Sequence, residues 1–337
     1  MKCFTQSRPH WICTLRVDNM FKFKTPSQKT KEIMSKVALS EFDNENFERR
    51  AIDKIKSLTC KEHAKITSSG NNSIFIAMSS IKGDIIIPDQ GGWHGFKQIA
   101  KFLNKNVISL KTDLGLINPK LLDDLEVKDN SALIFTSFAG YTGEQDIKRI
   151  VKYCKRNDIT SIEDASAGIG DCENRLATQS DIIIASTGSP KMINVGSGGF
   201  ISSDNEEIFK NTTLPQKLSK TSQIVCSGID NEIENVGKNL EVTVNATKYL
   251  KKHIPNTIHA DKRGVNVIIR HDDAKSICWD LKKALTTDKS GFITTCPNYN
   301  RVKTKAIAIE LKNLDYSCLK KEYLDKILEE LDFRNLL

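Results

Sequence analysis

Short apolar runs set between amphipathic stretches narrow the fold of this 337-residue chain more than any other feature. Ile85-Ile-Ile87, Ala132-Leu-Ile-Phe135 and Ile182-Ile-Ile-Ala185 are apolar at successive positions, so a strand built from any of them is buried on both faces. That pattern belongs to parallel sheets covered by helices. The helical period lies between the runs, with Phe47, Ala51, Ile52, Ile55 and Leu58 on one face and Ile147, Ile150, Val151 and Cys154 on another. Asp43 is placed to cap the first of these helices, and Asn118-Pro119 to open a further one with proline in its first turn. Strands are expected at 64–69, 84–88, 106–110, 132–138, 159–163, 181–185 and 199–202, with helices at 71–81 and 94–103. Polar residues across 211–231 interrupt the rhythm. A long helix through Ile233, Val236, Leu240, Val244 and Leu250 follows, and then a strand at 265–269, a helix at 274–285, strands at 291–295 and 306–311, and a helix at 319–331. The expectation is an α/β fold with a mostly parallel central sheet covered on both faces, in a large domain over 43–231. A small C-terminal α+β domain takes 232–337.

Charge is unevenly spread. Residues 1–31 hold seven Lys or Arg against Asp18 alone, which accounts for six of the eight net positive charges. The remainder is nearly neutral, which argues against a broad nucleic-acid groove and confines RNA or anionic-surface contact to this arm. Residues 1–42 read as a basic arm, solvated and poorly ordered at its start, and Met20 is a second candidate start, which would put residues 1–19 outside the native chain. Nine scattered cysteines without a Cys-x-x-Cys pair, and six histidines without zinc spacing, point to a reducing, cytoplasmic setting and to no metal site. No apolar stretch is long enough to cross a bilayer.

Chemistry concentrates in Ser186-Thr-Gly-Ser-Pro-Lys191, which follows an apolar run and leads to Gly198-Gly199. A lysine past a strand end can form a Schiff base with an aldehyde cofactor. Asp164, closing an earlier apolar run, can keep a pyridinium nitrogen protonated, although an isolated Asp there also serves as a helix cap. Ser69-Gly-Asn71-Asn72-Ser73 opens a helix whose free N–H groups suit a phosphate. Together these outline a site for pyridoxal 5'-phosphate (PLP). Asn71, Trp93, Asp164, Ser186 and Lys191 all fall just past expected strand ends, where ligands bind in open α/β sheets.

Glu163-Asp164-Ala165 and the Ser-x4-Lys-x6-Gly-Gly spacing resemble the fold-type I PLP enzymes, and most of all the DegT-type sugar aminotransferases, over roughly residues 43–205. The resemblance implies that Lys191 carries the cofactor and shuttles the proton at the substrate's alpha carbon. It also implies that Asp164 faces the pyridine nitrogen and that Ser186 with Asn71 and Asn72 binds the phosphate. Trp93, or else His94, would stack on the ring. Arg301, with Arg270 as the second choice, would grip a substrate carboxylate. A homodimer is implied, since active sites of that family lie at a subunit interface, as are a small-molecule amino donor and an acceptor. The chain departs from the family at Ala167, where a glutamine is usual, and at Asn71, where threonine is common. Two other readings stay open: a PLP-dependent lyase or sulfur-transfer enzyme like the cysteine desulfurases, with Cys226 or Cys296 as thiolate, and a catalytically reduced binding protein.

Overall fold

A computed structural model describes residues 21–40, 46–289, 291–298 and 301–337. The first twenty residues and Asp43, which carry the expected arm start and helix cap, lie outside the described residues. Seven strands form the main sheet: β1 (His63–Thr67), β2 (Ile85–Pro88), β3 (Val107–Leu110), β4 (Ala132–Thr136), β5 (Thr160–Asp164), β6 (Ile182–Ser186) and β7 (Gly199–Ser203). Their spatial order is β1-β7-β6-β5-β4-β2-β3. β7 runs antiparallel to both neighbours, and every other pairing is parallel. All residues of β2 and β4 are buried, as their unbroken apolar runs require.

Helices α1 (Gln28–Leu39), α2 (Phe47–Thr59), α3 (Gly70–Ser80), α4 (Gly95–Phe102), α5 (Ile147–Arg156), α6 (Glu207–Asn211), α7 (Thr213–Leu218) and α8 (Gln223–Glu232) accompany this sheet. One apolar layer joins Ile55, Phe135, Ile150 and Phe200, and the layer on the other face joins Ile76, Phe96, Ile134 and Ile184. Helix α9 (Val236–His253) leads into a small antiparallel sheet ordered β8 (Val267–Arg270), β10 (Ala306–Ile309), β9 (Ile293–Cys296). Helices α10 (Ala274–Ala284) and α11 (Lys321–Asp332) bury Cys278, Leu281, Ile327 and Leu331 against Val267, Ile269, Ile307 and Ile309. The other face of that sheet packs Ile268 and Ala308 with Val302.

Four expectations are corrected. The basic segment is not a solvated tail from residue 21 onward: Phe21 is fully buried with its ring 5.0 Å from that of Phe292, and Lys24 donates its N–H to Asn313 O at 2.8 Å. Burial of Phe21 and Val37 outweighs the charge count because the intervening lysines line the edges of the segment, Lys24 excepted. The polar stretch 211–231 contains α8, whose Ser222 cap and buried Cys226 and Ile229 supply a helix start and an apolar face. Asn118-Pro119 opens only the single turn Pro119–Leu122, and α2 is capped by Asn46.

Candidate active site

Two strand ends and one helix start converge where β7 reverses direction. A Cβ added to Gly70 would meet Ser186 Cβ at 2.5 Å, and one added to Gly199 would meet Gly70 N at 2.6 Å. The first turn of α3 therefore rests directly on the end of β6, an approach that only glycine allows. Ser69 caps α3 by accepting from Asn72 N at 3.2 Å. The Gly70 and Asn71 N–H groups, at the very start of the helix, have no intrahelical acceptor. Asp164 Oδ1 accepts from Ser166 N at 3.0 Å, and Ser166 Oγ accepts from Ser186 N at 2.9 Å, so one serine ties the two strand ends together.

Lys191 sits half-buried in the loop between β6 and β7. The buried side chains of Met192, Ile193 and Val195 anchor that loop in the core. Thr187 fastens both of its ends, accepting from Val195 N at 3.0 Å and donating its hydroxyl to Ser197 O at 2.7 Å. The lysine is thus a half-buried polar side chain on a segment anchored by packed neighbours.

Tyr141, which follows β4, joins the two domains at this point. Its ring lies 4.6 Å from Lys312 Nζ and 5.0 Å from the Arg301 guanidinium carbon. Burial raises the pKa of the Tyr141 hydroxyl, but Lys191, Lys312 and Arg301 outweigh burial and the opposing Asp164, and hold it below its ordinary value. Lys191 and Asp164 are therefore both within electrostatic reach of one buried ring. Glu310 balances the small-domain cations: Arg301 donates to it through Nε at 2.8 Å and through a second guanidinium nitrogen, and Lys312 Nζ lies 3.4 Å away. Burial lowers Lys312 against the pull of Glu310 and Tyr141.

The sequence-derived residues fall into two groups. Asp164, Ser186 and Lys191 gather at the sheet's carboxyl edge, with Asn71 exposed at the α3 start beside Ser186. Asn72 Nδ2 is turned to Ser68 Oγ at 2.7 Å. Trp93 packs edge-on against Phe96 and shares a 420 Å³ cleft with Asp89, His94, Lys97 and Arg301, which none of Asp164, Ser186 and Lys191 lines. Arg270 is exposed at the end of β8. Ala167 is a buried core residue. The wider cleft of 850 Å³ runs along the opposite strand ends, past Thr160, Asp181 and Ser203, and holds none of these residues.

Tyr141, Glu310 and Lys312 escaped the sequence reading. The Gly140-Tyr141-Thr-Gly143 turn after β4, an aromatic between glycines past a strand end, was the available signal. Burial pushes the Cys226 and Cys296 thiols up to about 12 each, which is opposite to what a nucleophilic thiolate requires. No described helix is long and apolar enough to cross a membrane.

A model of the DegT/DnrJ/EryC1/StrS aminotransferase family matches residues 27–241, more than half of the chain, and one of the MJ1341 family C-terminal domain matches residues 237–332. No curated protein sequence matches the chain. Among solved structures, Helicobacter pylori PseC, an aminotransferase involved in pseudoaminic acid biosynthesis, superposes with a TM-score of 0.73 at 11% identity, covering 93% of this chain and 99% of that one. Ureidoglycine-glyoxylate aminotransferase from Bacillus subtilis gives 0.68 at 15% identity, over 92% and 91% of the two chains. Serine palmitoyltransferase from S. paucimobilis with a bound PLP-myriocin aldimine gives 0.71 at 12% identity, over 94% and 88%. These likenesses establish the fold, that of the fold-type I PLP transferases.

Proposed function

The chain belongs to the DegT/DnrJ/EryC1/StrS aminotransferase family of PLP-dependent enzymes, and from that premise we propose that Lys191 is the amine that holds the cofactor's aldehyde. Asp164 would face the pyridine nitrogen, and the α3 start with Ser186 would take the phosphate. The glycine-only contact of α3 with Ser186 supports this fit, because it leaves N–H groups and a hydroxyl side by side at a helix N-terminus. The serine link from Asp164 to Ser186 fixes the spacing between a ring-nitrogen partner and a phosphate donor.

PLP supplies an electron sink for cleavage at the substrate's alpha carbon. The protein's part is positional and acid–base. Lys191 Nζ, freed once the substrate's amine takes its place on the aldehyde, would hold and move the proton at the substrate's alpha carbon. Asp164 would keep the ring nitrogen protonated. Tyr141, whose hydroxyl Lys191, Lys312 and Arg301 hold below its ordinary value, would help to orient Lys191 and share its proton. The product is an amino group transferred to a small-molecule acceptor, and the raised Cys226 and Cys296 thiols count against the sulfur-transfer alternative.

A cytoplasmic homodimer completes this reading. Helix α7 buries none of its residues and leaves Leu214 66% and Leu218 77% exposed, while Ser219, just after it, accepts from Ser68 N beside the α3 start. A partner subunit seated on α7 would therefore border the site. Asn71, Asn72, Trp93 and Arg301 remain proposed contacts to cofactor and substrate.

The visible spectrum tests the central assignment. Protein purified with PLP should be coloured, lose that colour on borohydride treatment, and convert with an amino donor. Lys191→Ala should lack the colour and the transfer, and a variant that kept both would refute the assignment.

A further inference from the structure

We propose that Lys24, together with Lys312, forms a subsite for a second acidic group of the substrate, a carboxylate or phosphate remote from the reacting amine. The proposal deepens the Lys191 reading and rests on it.

Lys24 is 1% exposed, and its Nζ has no hydrogen-bond partner among the described residues. Its backbone is pinned on two sides, by the N–H donated to Asn313 O at 2.8 Å and by the carbonyl that accepts from Ser189 Oγ at 3.3 Å. Ser189 stands two residues before Lys191, so the Lys24 backbone is fastened to the loop that carries the proposed cofactor amine. Its head group lies 4.4 Å from the centre of the Tyr316 ring, a contact that orients a cation without accepting a proton from it.

The charged groups facing Lys24 are Lys312, Asp315 and Glu232. Both acids are engaged elsewhere. Glu232 accepts from Ser27 N at 3.2 Å and from the Thr30 hydroxyl. Asp315 accepts from Ser317 N at 3.0 Å and from Ser317 Oγ at 2.6 Å. Lys312, the nearest cation in effect, donates to Asn313 Oδ1 at 2.7 Å and is itself influenced by Lys191. The Lys24 backbone bond to Asn313 sets Lys24 beside the segment that carries Lys312, whose paired acid is Glu310. The proposed phosphate cradle is separately built at Ser186 and the α3 start, so the cofactor does not answer this charge.

A buried ammonium without an acceptor is unfavourable unless it is neutral or meets an anion. Burial and Lys312 push Lys24 down to about 7, against Asp315 and Glu232. An anion placed between the two lysines would restore the charge and supply the missing acceptor. The substrate class that fits is an amino compound bearing one acidic group beyond the reacting centre.

Calorimetric titration of the PLP-loaded enzyme with succinate and with inorganic phosphate tests the subsite. One of the two should saturate the wild type and raise its melting temperature above that seen with acetate at matched ionic strength; which one identifies carboxylate or phosphate as the group. Lys24→Met should weaken that binding at least tenfold while the visible spectrum persists, and Lys24→Gln serves the same purpose if the methionine variant does not fold. Lys29→Met, on the exposed face of α1, should bind like the wild type. A wild type that binds neither dianion more tightly than acetate overturns the subsite, as does a Lys24 variant that binds either one unchanged. Loss of colour in Lys191→Ala is scored separately, so failure of the cofactor assignment is not confused with failure of the anion site.

Discussion

Lys312 Nζ stands 4.6 Å from the centre of the Tyr141 ring, so the small domain presses a buried cation onto a residue that follows a strand of the main sheet. Arg301 faces the same ring, and Lys191 and Asp164 both influence its hydroxyl. Two domains and the proposed cofactor lysine are thereby coupled through one side chain.

Tyr141→Phe keeps the ring and its cation contacts and removes only the hydroxyl. We expect kcat to fall about a hundredfold or more, the range of a lost acid–base contact. The alkaline limb of the rate profile should also move, because wild-type Tyr141 ionises below its ordinary value under the influence of Lys191, Lys312 and Arg301. Turnover measured against pH decides this, and an unshifted profile at full rate would remove Tyr141 from the site.

Gly70→Ala should damage cofactor binding first. The added methyl would meet Ser186 Cβ at 2.5 Å and Ser186 Cα at 2.8 Å, which forces α3 away from β6. Overpacking of this kind costs about 1–3 kcal/mol. PLP dissociation followed by absorbance should be faster than in the wild type, and Gly291→Ala, where a Cβ meets nothing within 4 Å, provides the control.

Glu163 makes stability depend on pH. Burial raises its carboxyl to about 7, although Ser137, Ala177 N and Ser180 donate to it and oppose the shift. The folded chain holds this proton over a range in which the unfolded chain has released it. Stability from this group is therefore greatest below the ordinary glutamate value and falls as pH rises to about 7, then stays level. Urea midpoints measured across that window should decline in the wild type and lose the slope in Glu163→Gln.

Lys251 binds the domains together from α9. Its ammonium donates to Thr142 O at 2.5 Å, His259 O at 2.7 Å and Lys262 O at 2.9 Å. Lys251→Met would leave three carbonyls without that donor, at about 1–3 kcal/mol for a buried unsatisfied group. Thermal unfolding should drop accordingly, while the visible spectrum of folded protein should be little changed.

The apolar runs at 85–87, 132–135 and 182–185 made the parallel sheet legible because burial on both faces leaves a strand no polar position. Asp164 and Ser186 could be placed at strand ends for the same reason. Lys312 and Glu310 could not, since nothing in their local sequence separates a site cation from a surface one. Helix α8 was hidden by Ser, Asn and Asp residues, and its packing against α1 and α2, with Met34 close to Gly228, turns its apolar positions into a face.

By itself the sequence determined the alternation of strands and helices and the spacing that sets Lys191 beyond a strand end, because periodicity and glycine placement are local properties. Tertiary structure alone decided that Lys24 of the basic segment is buried beside the Lys191 loop, and that Tyr141 and Lys312 meet across the domains. Those contacts join residues far apart along the chain, and their energies depend on which water the folded neighbours exclude. No run of adjacent letters carries that information.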